Sequence, residues 1–171
     1  SYGPLILHIT DDGQTSGATF YDSSVNPAMI VNGLGATPDG KLLLAGRFDG
    51  DTDSDFALYR LNIDGSLDTT FGEGGYLSYA FPGYQDVYAV ATDSTGRVLM
   101  AAGSTDFGEE NPHTIIAALR LTSDDLLPDI GYGEEGLVTT DLPDYLHEYS
   151  IGVGSSLAPD GAIVVVPDLG N

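Results

Sequence analysis

The sequence predicts an all-β fold in which about three repeats each contribute four short antiparallel strands. The first observation is repetition: FALYRLNIDG at 56–65 returns as AALRLTSDD at 117–125, and LILHITDDG at 5–13 resembles both. The second is that apolar residues never keep helical spacing over three turns. The third is that short runs rich in Val, Ile, Leu, Ala and Tyr alternate with Gly, Asp and Pro, which is typical of strands and tight turns. Internal repetition with a period in the fifties indicates a protein built from structural repeats.

Three sets of equivalent positions define the register of the repeats: His8, Arg60 and Arg120; Phe20, Phe71 and Tyr132; Gly40, Gly96 and Gly161. The spacings are unequal, which indicates loops of different length. His8 carried forward by one chain length falls 59 residues beyond Arg120, close to one further period. We therefore interpret residues 1–171 as a single repeat domain, circularly shifted by one element. Its parts are a closing strand 5–13, repeat one 14–63, repeat two 64–122 and a partial repeat three 123–171.

The strands of each repeat follow from these runs. In the middle repeat we expect strands at 76–81, 87–93, 97–104 and 115–122. Between the second and third lies Ser94-Thr95-Gly96, where the other repeats carry Pro38-Asp39-Gly40 and Pro159-Asp160-Gly161. Proline presets φ, aspartate bonds its own backbone and glycine supplies positive φ, so each triplet predicts a tight hairpin.

Four short antiparallel strands at a period in the fifties fit a β-propeller blade better than a solenoid coil. The apolar runs are continuous, as expected where neighbouring blades cover both faces of a sheet. Small residues recur at equivalent places in these runs: Gly33, Gly35, Ala89, Ala91, Gly152 and Gly154. They predict close packing of blades near a central axis, the alternative being that the glycines mark bulges.

The best-preserved repeat carries DGKLLLAG at 39–46, DFALYR at 55–60 and DGSLDTTFGEGG at 64–75. These motifs resemble the bacterial delta-sixty β-propeller repeat. The other repeats are degraded, as where Asp125-Leu126-Leu127-Pro128-Asp129 replaces Gly65-Ser66-Leu67-Asp68. The resemblance implies a propeller in a large secreted or cell-surface bacterial protein. It carries no catalytic residues to this chain.

The third repeat supplies runs at 137–142, near 150–158 and at 162–166, and then lacks the strand that residues 5–10 represent. An open sheet edge pairs with something, so we expect the N-terminal strand to complete the last blade. Three blades are fewer than the four to eight of ordinary propellers. The expected partners are therefore a second copy, joined head to tail as a ring or a filament, or further blades of a longer protein.

The net charge of the chain limits the classes of partner that it can bind. The chain has 26 Asp and Glu against 5 Lys and Arg, a net charge of −21. Nucleic acid is excluded as a partner because phosphate contacts need clustered Lys and Arg. An anionic membrane surface is disfavoured for the same reason, and no apolar run has the length of a membrane span. The acidity favours a secreted or cell-surface chain, and the lack of cysteine is compatible with bacterial secretion. The first residue, Ser1 rather than Met, indicates a processed chain or a fragment.

The candidate metal site is an acidic loop with carboxylates at alternate positions: Asp49, Asp51, Asp53 and Asp55. Carboxylate oxygens in a flexible, glycine-containing loop are ligands that Ca²⁺ prefers. The spacing resembles the first half of an EF-hand loop, but Arg60 stands where the twelfth-position glutamate would be. Calcium is therefore the candidate cofactor, and a solvated acidic loop is the alternative.

The remaining charged markers favour structure over chemistry. Arg60 and Arg120 occupy equivalent positions, so we expect them to pair with Asp68 and Asp129 at the following turn. No nucleophile motif or zinc spacing is present. We expect a non-catalytic structural, adhesive or assembly module. Tyrosines beside aspartates make glycan binding the alternative, and a glycoside hydrolase is less favoured because its two carboxylates have no distinctive signature here.

Overall fold

The computed structural model describes residues 2–22, 29–48, 56–79, 84–105, 114–123, 126–141, 153–157 and 162–167. Within those ranges the protein contains strands and turns and no helix. The twelve strands are β1 (Tyr2–Ile9), β2 (Thr15–Asp22), β3 (Met29–Ala36), β4 (Leu42–Phe48), β5 (Phe56–Leu61), β6 (Tyr76–Tyr79), β7 (Tyr84–Thr92), β8 (Val98–Thr105), β9 (Thr114–Leu121), β10 (Leu137–Asp141), β11 (Val153–Leu157) and β12 (Ile163–Pro167).

The strands form two complete blades and two shorter sheets. Blade 1 has the order β3-β4-β5-β6 and blade 2 the order β7-β8-β9-β10, each an antiparallel meander. In the described part of the chain, β1 pairs only with β2 and β11 only with β12. The prediction of an all-β fold with four-stranded, propeller-type blades is confirmed.

The fourth strand of each blade joins a different sheet from the one predicted. The run at 76–81 was expected to open the middle repeat, but β6 pairs with β5 and closes blade 1. The run at 137–142 likewise closes blade 2 as β10, beside β9. The reason is local. After β5 the chain turns back at once, with a bridge between Leu61 and Leu67, and the following segment runs antiparallel beside β5. The sheet is thus completed by the strand that follows the loop.

One of the three register markers is also wrong. Phe20 was equated with Phe71 and Tyr132, which both lie in the loop before a fourth strand. Phe20 instead lies inside β2, opposite Leu5. The loop that carries the aromatic marker in the blades is replaced here by a short turn from Thr10 to Gln14. The marker therefore has no counterpart in the N-terminal hairpin.

The predicted hairpin turns at 38–40 and 94–96 join the first two strands of each blade. In blade 1 the amide of Thr37 donates to the carbonyl of Lys41, and the amide of Gly40 donates to the carbonyl of Thr37, both at 2.9 Å. Gly40 has φ 84°, which a residue with a Cβ adopts only with strain. The equivalent triplet at 159–161 lies outside the described residues.

The main core lies between the two blades. It joins Leu43, Leu58 and Phe71 of blade 1 to a larger group from blade 2: Val87, Val90, Val98, Met100, Ala102, Ala117, Leu119 and Leu121. The opposite face of blade 1 carries a second cluster around Leu44 and Tyr59, against which Ile6 of β1 packs. Both faces of the central strands β4 and β5 of blade 1 are therefore covered, as the continuous apolar runs predicted.

Small residues let the first strands of the blades approach closely. A Cβ added at Gly35 would lie 2.7 Å from the carbonyl oxygen of Val90, and one at Gly33 would lie 3.1 Å from the Cα of Ala89. The alternative interpretation also holds, because the pairing register shifts between Val31 and Gly33. The glycines therefore serve both the bulge and the blade contact.

We predict that Gly35→Ala destabilises the protein by about 1–3 kcal/mol, the usual cost of inserting a methyl group into a tight contact. The obstacle is a backbone oxygen on a buried strand, which cannot move aside as a flexible side chain can. Urea unfolding measures the change. Gly103→Ala is the matched control, because its added Cβ would lie 3.4 Å from a tyrosine ring atom, at the edge of ordinary contact. Equal stabilities of the two variants would contradict the prediction.

Candidate functional site

The charged residues of blade 1 meet just after the third strand. β5 ends at Leu61, a turn brings the chain back, and Asp68 then lies beside Arg60, its amide donating to the Arg60 carbonyl at 2.9 Å. The buried carboxylate of Asp68 accepts from Arg60 Nε at 2.7 Å, from Lys41 Nζ at 2.5 Å and from Thr70 Oγ1 at 2.6 Å. We call Arg60, Asp68 and Lys41 the first clamp.

Blade 2 repeats this arrangement with a looser geometry. Arg120 Nε donates to Asp129 Oδ2 at 2.9 Å, and the amide of Gly131 donates to Asp129 Oδ1 at 3.0 Å. Arg97 Nη1 lies 3.8 Å from the same carboxylate. Asp129 is more exposed than Asp68, with 18% of its side-chain surface accessible against 5%. We call Arg120, Asp129 and Arg97 the second clamp.

An aromatic ring lies under the arginine of each clamp. The guanidinium carbon of Arg60 is 4.5 Å from the ring centre of Phe71, and that of Arg120 is 4.4 Å from the ring centre of Tyr132. A cation over a ring face is attracted by the ring quadrupole. The arginine is therefore held on one side by a carboxylate and on the other by the loop aromatic, which connects the third strand to the loop that leads into the fourth.

The carboxylates of these hydrogen-bonded turns are strongly acidic. The hydrogen bond from Lys41, joined by those from Thr70 and Arg60, lowers the pKa of Asp68 far below its usual value. At Asp93, burial opposes ionisation, but hydrogen bonds from Thr95 and Arg97 outweigh it and lower the pKa to about 2. Both groups are therefore charged throughout the neutral range.

Several sequence-predicted site residues are brought together, and others lie outside the described part of the chain. Arg60 meets Asp68, and Arg120 meets Asp129, at the distances given above. Asp49, Asp51, Asp53 and Asp55 all fall between β4 and β5, outside the described residues. In the ranges that are described, no three His, Asp or Glu side chains lie close enough to hold a metal ion.

Sequence reasoning missed two members of the clamps. Lys41 and Arg97 each directly follow the glycine of a hairpin turn, Gly40 or Gly96. That shared position is the signal that could have found them. Lys41 immediately precedes β4 and Arg97 immediately precedes β8, and each of these strands pairs with the strand that carries the arginine, so both cations approach the clamp carboxylate from the side.

A polar cavity of about 280 Å³ lies where the two hairpin turns face each other. Its lining is Thr37, Pro38, Asp39, Arg60, Ser94, Thr95, Gly96 and Ser123. The guanidinium of Arg60 on its wall is already bound to Asp68. The Thr37 hydroxyl donates to Asp39 and lowers the pKa of that carboxyl.

The tyrosines that suggested sugar binding are partly committed to packing. Tyr76 lies edge-on to Phe48, with ring centres 5.8 Å apart, in the cluster on the outer face of blade 1. The Tyr79 hydroxyl donates to the carbonyl of Leu126 in the neighbouring blade. Tyr145 and Tyr149 lie outside the described residues. These contacts favour the half-buried strand role for the first two.

Residues 37–71 match a family model described as a domain of unknown function (DUF5122) beta-propeller. The match runs from the first hairpin turn of blade 1 through β4 and β5 to Phe71, and so includes the first clamp. Together with the two four-stranded antiparallel blades, it identifies a repeat protein of the β-propeller class. No curated protein sequence matches the chain. Among the described residues, no helix has the length and apolar character needed to cross a membrane.

We predict that Asp68→Ala costs about 3–5 kcal/mol of unfolding free energy, because it leaves Arg60 and Lys41 half-buried without their acceptor. Asp129→Ala is the matched variant in the second clamp. It should cost about 1.5–3 kcal/mol, as expected for hydrogen bonds to a more exposed charge. Arg60→Met should also lower the melting temperature. Denaturant unfolding ranks the variants, and an unchanged melt for Asp68→Ala would contradict a structural role for the clamp.

The acidity of Asp68 predicts a pH dependence of stability. Its pKa is lowered on folding, so ionised Asp68 stabilises the folded state above the unfolded pKa of about 3.9. That contribution is lost as the pH falls from about 5 through the folded value. We expect melting temperatures from pH 7 to pH 2 to fall less steeply in Asp68→Asn than in the wild type. Asp11→Asn, in an exposed turn, is the control and should follow the wild type.

Proposed function

We propose that this chain is a non-catalytic structural module of β-propeller type, acting as an assembly or adhesive unit of a secreted or cell-surface bacterial protein. The observation that carries the proposal is the repetition of the clamp. The same three elements, an arginine, an aspartate and an aromatic ring, occupy equivalent positions in both complete blades. A feature that both complete blades repeat serves the blade, whereas a catalytic site is a single convergence of unlike groups.

The chemistry of the clamp supports this role. Four of the five Lys and Arg of the chain hold a carboxylate at 2.9 Å or less: Lys41, Arg60, Arg120 and Arg97, the last with Asp93 at 2.6 Å. These cations are satisfied by neighbours in their own blade. Arg60 and Arg120 fix the connection between the third and fourth strands in this way, whereas Arg97 and Asp93 fix the hairpin between the first and second strands of blade 2.

The cellular context is part of the proposal. The motifs at 39–46, 55–60 and 64–75 resemble the bacterial delta-sixty repeat, which implies large secreted or cell-surface proteins. The net charge of −21 supports an environment rich in salt or divalent cations, where the self-repulsion of the acidic surface is screened.

Glycan binding is the competing function, and an array of immobilised glycans distinguishes it from the proposal. We expect no saturable binding of the intact chain to any glycan, because Tyr76 and Tyr79 are engaged in packing. A saturable signal in the micromolar range or tighter would overturn the non-catalytic structural assignment in favour of a lectin-like one. The Asp68→Ala variant, carried through the same array, would show whether any signal depends on a folded blade.

Calcium is the proposed cofactor, bound by Asp49, Asp51, Asp53 and Asp55 in the segment between β4 and β5. We predict that millimolar CaCl₂ raises the melting temperature by a few degrees and that a chelator reverses the gain, because ligand binding to the folded state stabilises it by mass action. Asp51→Asn with Asp53→Asn should abolish the effect. Asp106→Asn, in the acidic segment of the next repeat, is the control and should retain it. A melt insensitive to calcium would contradict the site.

A further inference from the structure

The two short sheets are complementary halves of one blade. The N-terminal half is β1–β2. In blade 1 the residue before the arginine marker, Tyr59, lies opposite Tyr76, and in blade 2 Leu119 lies opposite Leu137. In the N-terminal sheet the residue before the marker His8 is Leu7, which lies opposite Ala18. β1 and β2 therefore occupy the places of the third and fourth strands of a blade.

The C-terminal half is β11–β12. In blade 1 Gly33 lies opposite Ala45, two residues beyond Leu43, the third residue after the turn glycine Gly40. Counting in the same way from Gly161 places Gly154 opposite Val166, which is the pairing observed. β11 and β12 therefore occupy the places of the first and second strands. Among the described residues, each half has two strands, and those two are the pair that completes the other half.

The halves lie at opposite ends of the row of blades. β1 contacts β3, and Ile6 packs on the outer face of blade 1. β11 contacts β7 and β8 of blade 2. The spatial order is thus β1–β2, blade 1, blade 2, β11–β12. A row with these ends fits another such row head to tail.

Exposed apolar side chains mark the N-terminal end. Leu7 is 53% exposed and Ile9 is 64% exposed. Their counterparts in the complete blades are Tyr59 and Leu61 in blade 1 and Leu119 and Leu121 in blade 2, all at most 6% exposed. In blade 2, Leu119 and Leu121 belong to the core shared with the preceding blade. Leu7 and Ile9 therefore lie on the face that a preceding blade covers.

The same comparison holds at two further positions. Leu34 of β3 is 64% exposed, while its counterpart Val90 of β7 is 7% exposed, in the core between the two blades. Val164 of β12 is 51% exposed, while Leu43 and Leu99 at the same place are at most 3% exposed. Four apolar side chains at two ends of the row are thus exposed where each counterpart in a complete blade is buried. Both ends of the row therefore expose the kind of apolar side chain that the core between the blades buries.

We propose that β12 of one copy pairs antiparallel with β1 of a second copy, completing a composite blade β11-β12-β1-β2. The register follows from the complete blades, where Leu43 lies opposite Arg60 and Leu99 opposite Arg120. Val164 of one copy then lies opposite His8 of the other. The occupant is a second copy because this chain carries both halves, each ending in strands that match the other in register and apolar character. We call this contact between β12 and β1 the joint, and it rests on the proposed structural function.

The joint accounts for every exposed position named above. Leu7 and Ile9 of the second copy come against blade 2 of the first, and Val164 of the first comes against blade 1 of the second. Leu34 of the second copy comes against β11 of the first, where Gly154 stands at the position of Gly33. Two such joints close a ring of six blades, within the usual range for propellers.

Cysteine cross-linking tests the register directly, because the chain has no cysteine of its own. The intact chain carrying His8→Cys and Val164→Cys should oxidise to a covalent dimer in high yield. The control carries His8→Cys and Ile130→Cys, with the second cysteine at an exposed position of the loop between β9 and β10. A covalent ladder would also support the joint, as an open filament. A disulfide within one chain, or equal yields from both variants, would overturn it.

Light scattering at micromolar concentration provides the second test. The wild type should have twice the 17.9 kDa mass of one chain. Ile9→Asp should reduce it to a monomer, whereas Ile63→Asp, at an exposed turn position, should leave the dimer intact. Ile9→Asp mixed with Val164→Asp should restore a dimer with a single joint. A monomeric wild type would overturn the joint and leave the structural assignment standing, which the glycan array tests separately.

Discussion

The constraint on which this structure depends is that a blade is a sheet buried on both faces. Blade 1 satisfies it with one cluster shared with blade 2 and another that includes Ile6 of β1. A sheet covered on one side only would alternate apolar and polar residues, but β4 reads Leu-Leu-Leu-Ala-Gly and is almost wholly buried. The close approach at Gly33 and Gly35 follows, because the first strands of neighbouring blades converge where space is least.

The clamps solve a second problem that the same constraint creates. The fourth strand lies at an edge of the sheet, after a loop that in blade 1 contributes Leu67 and Phe71 to the hydrophobic clusters, and the clamp adds polar contacts to these apolar ones. Asp68 and Asp129 supply the polar contacts by joining the loop to the third strand through Arg60 and Arg120. Burying such a pair is costly unless every charge finds partners, and the backbone and hydroxyl donors at Asp68 meet that condition. The tighter clamp lies in the repeat that matches the propeller family model.

Much of the fold and of the two clamps could be predicted from the sequence, and the predictions that failed have identifiable causes. Repetition and turn residues predicted the blades, because the signal is carried by local chemistry such as Pro38-Asp39-Gly40. The sequence could not show in this way which blade the fourth strand joins, because a strand between two sheets has the same residue pattern whichever sheet it pairs with. Phe20 failed as a marker because a short turn replaced the loop that carries the aromatic residue in the blades. Lys41 and Arg97 were missed as clamp members because the clamp carboxylates, Asp68 and Asp129, lie 27 and 32 residues further along the chain.

The acidic surface gains a role once the ends of the row are seen as apolar. In the part of the chain that the structure describes, β1 and β12 each pair on one side only, and strand edges with exposed apolar residues such as Leu7 and Val164 are templates for unspecific aggregation. A net charge of −21 opposes random contacts between copies at distances up to about 10 Å, the Debye length near 0.1 M salt. The joint that we propose pairs backbone and buries apolar side chains in register, which offsets that repulsion. In this proposal charge and edge act together, because repulsion disfavours weak contacts between copies and leaves the complementary joint as the favoured association.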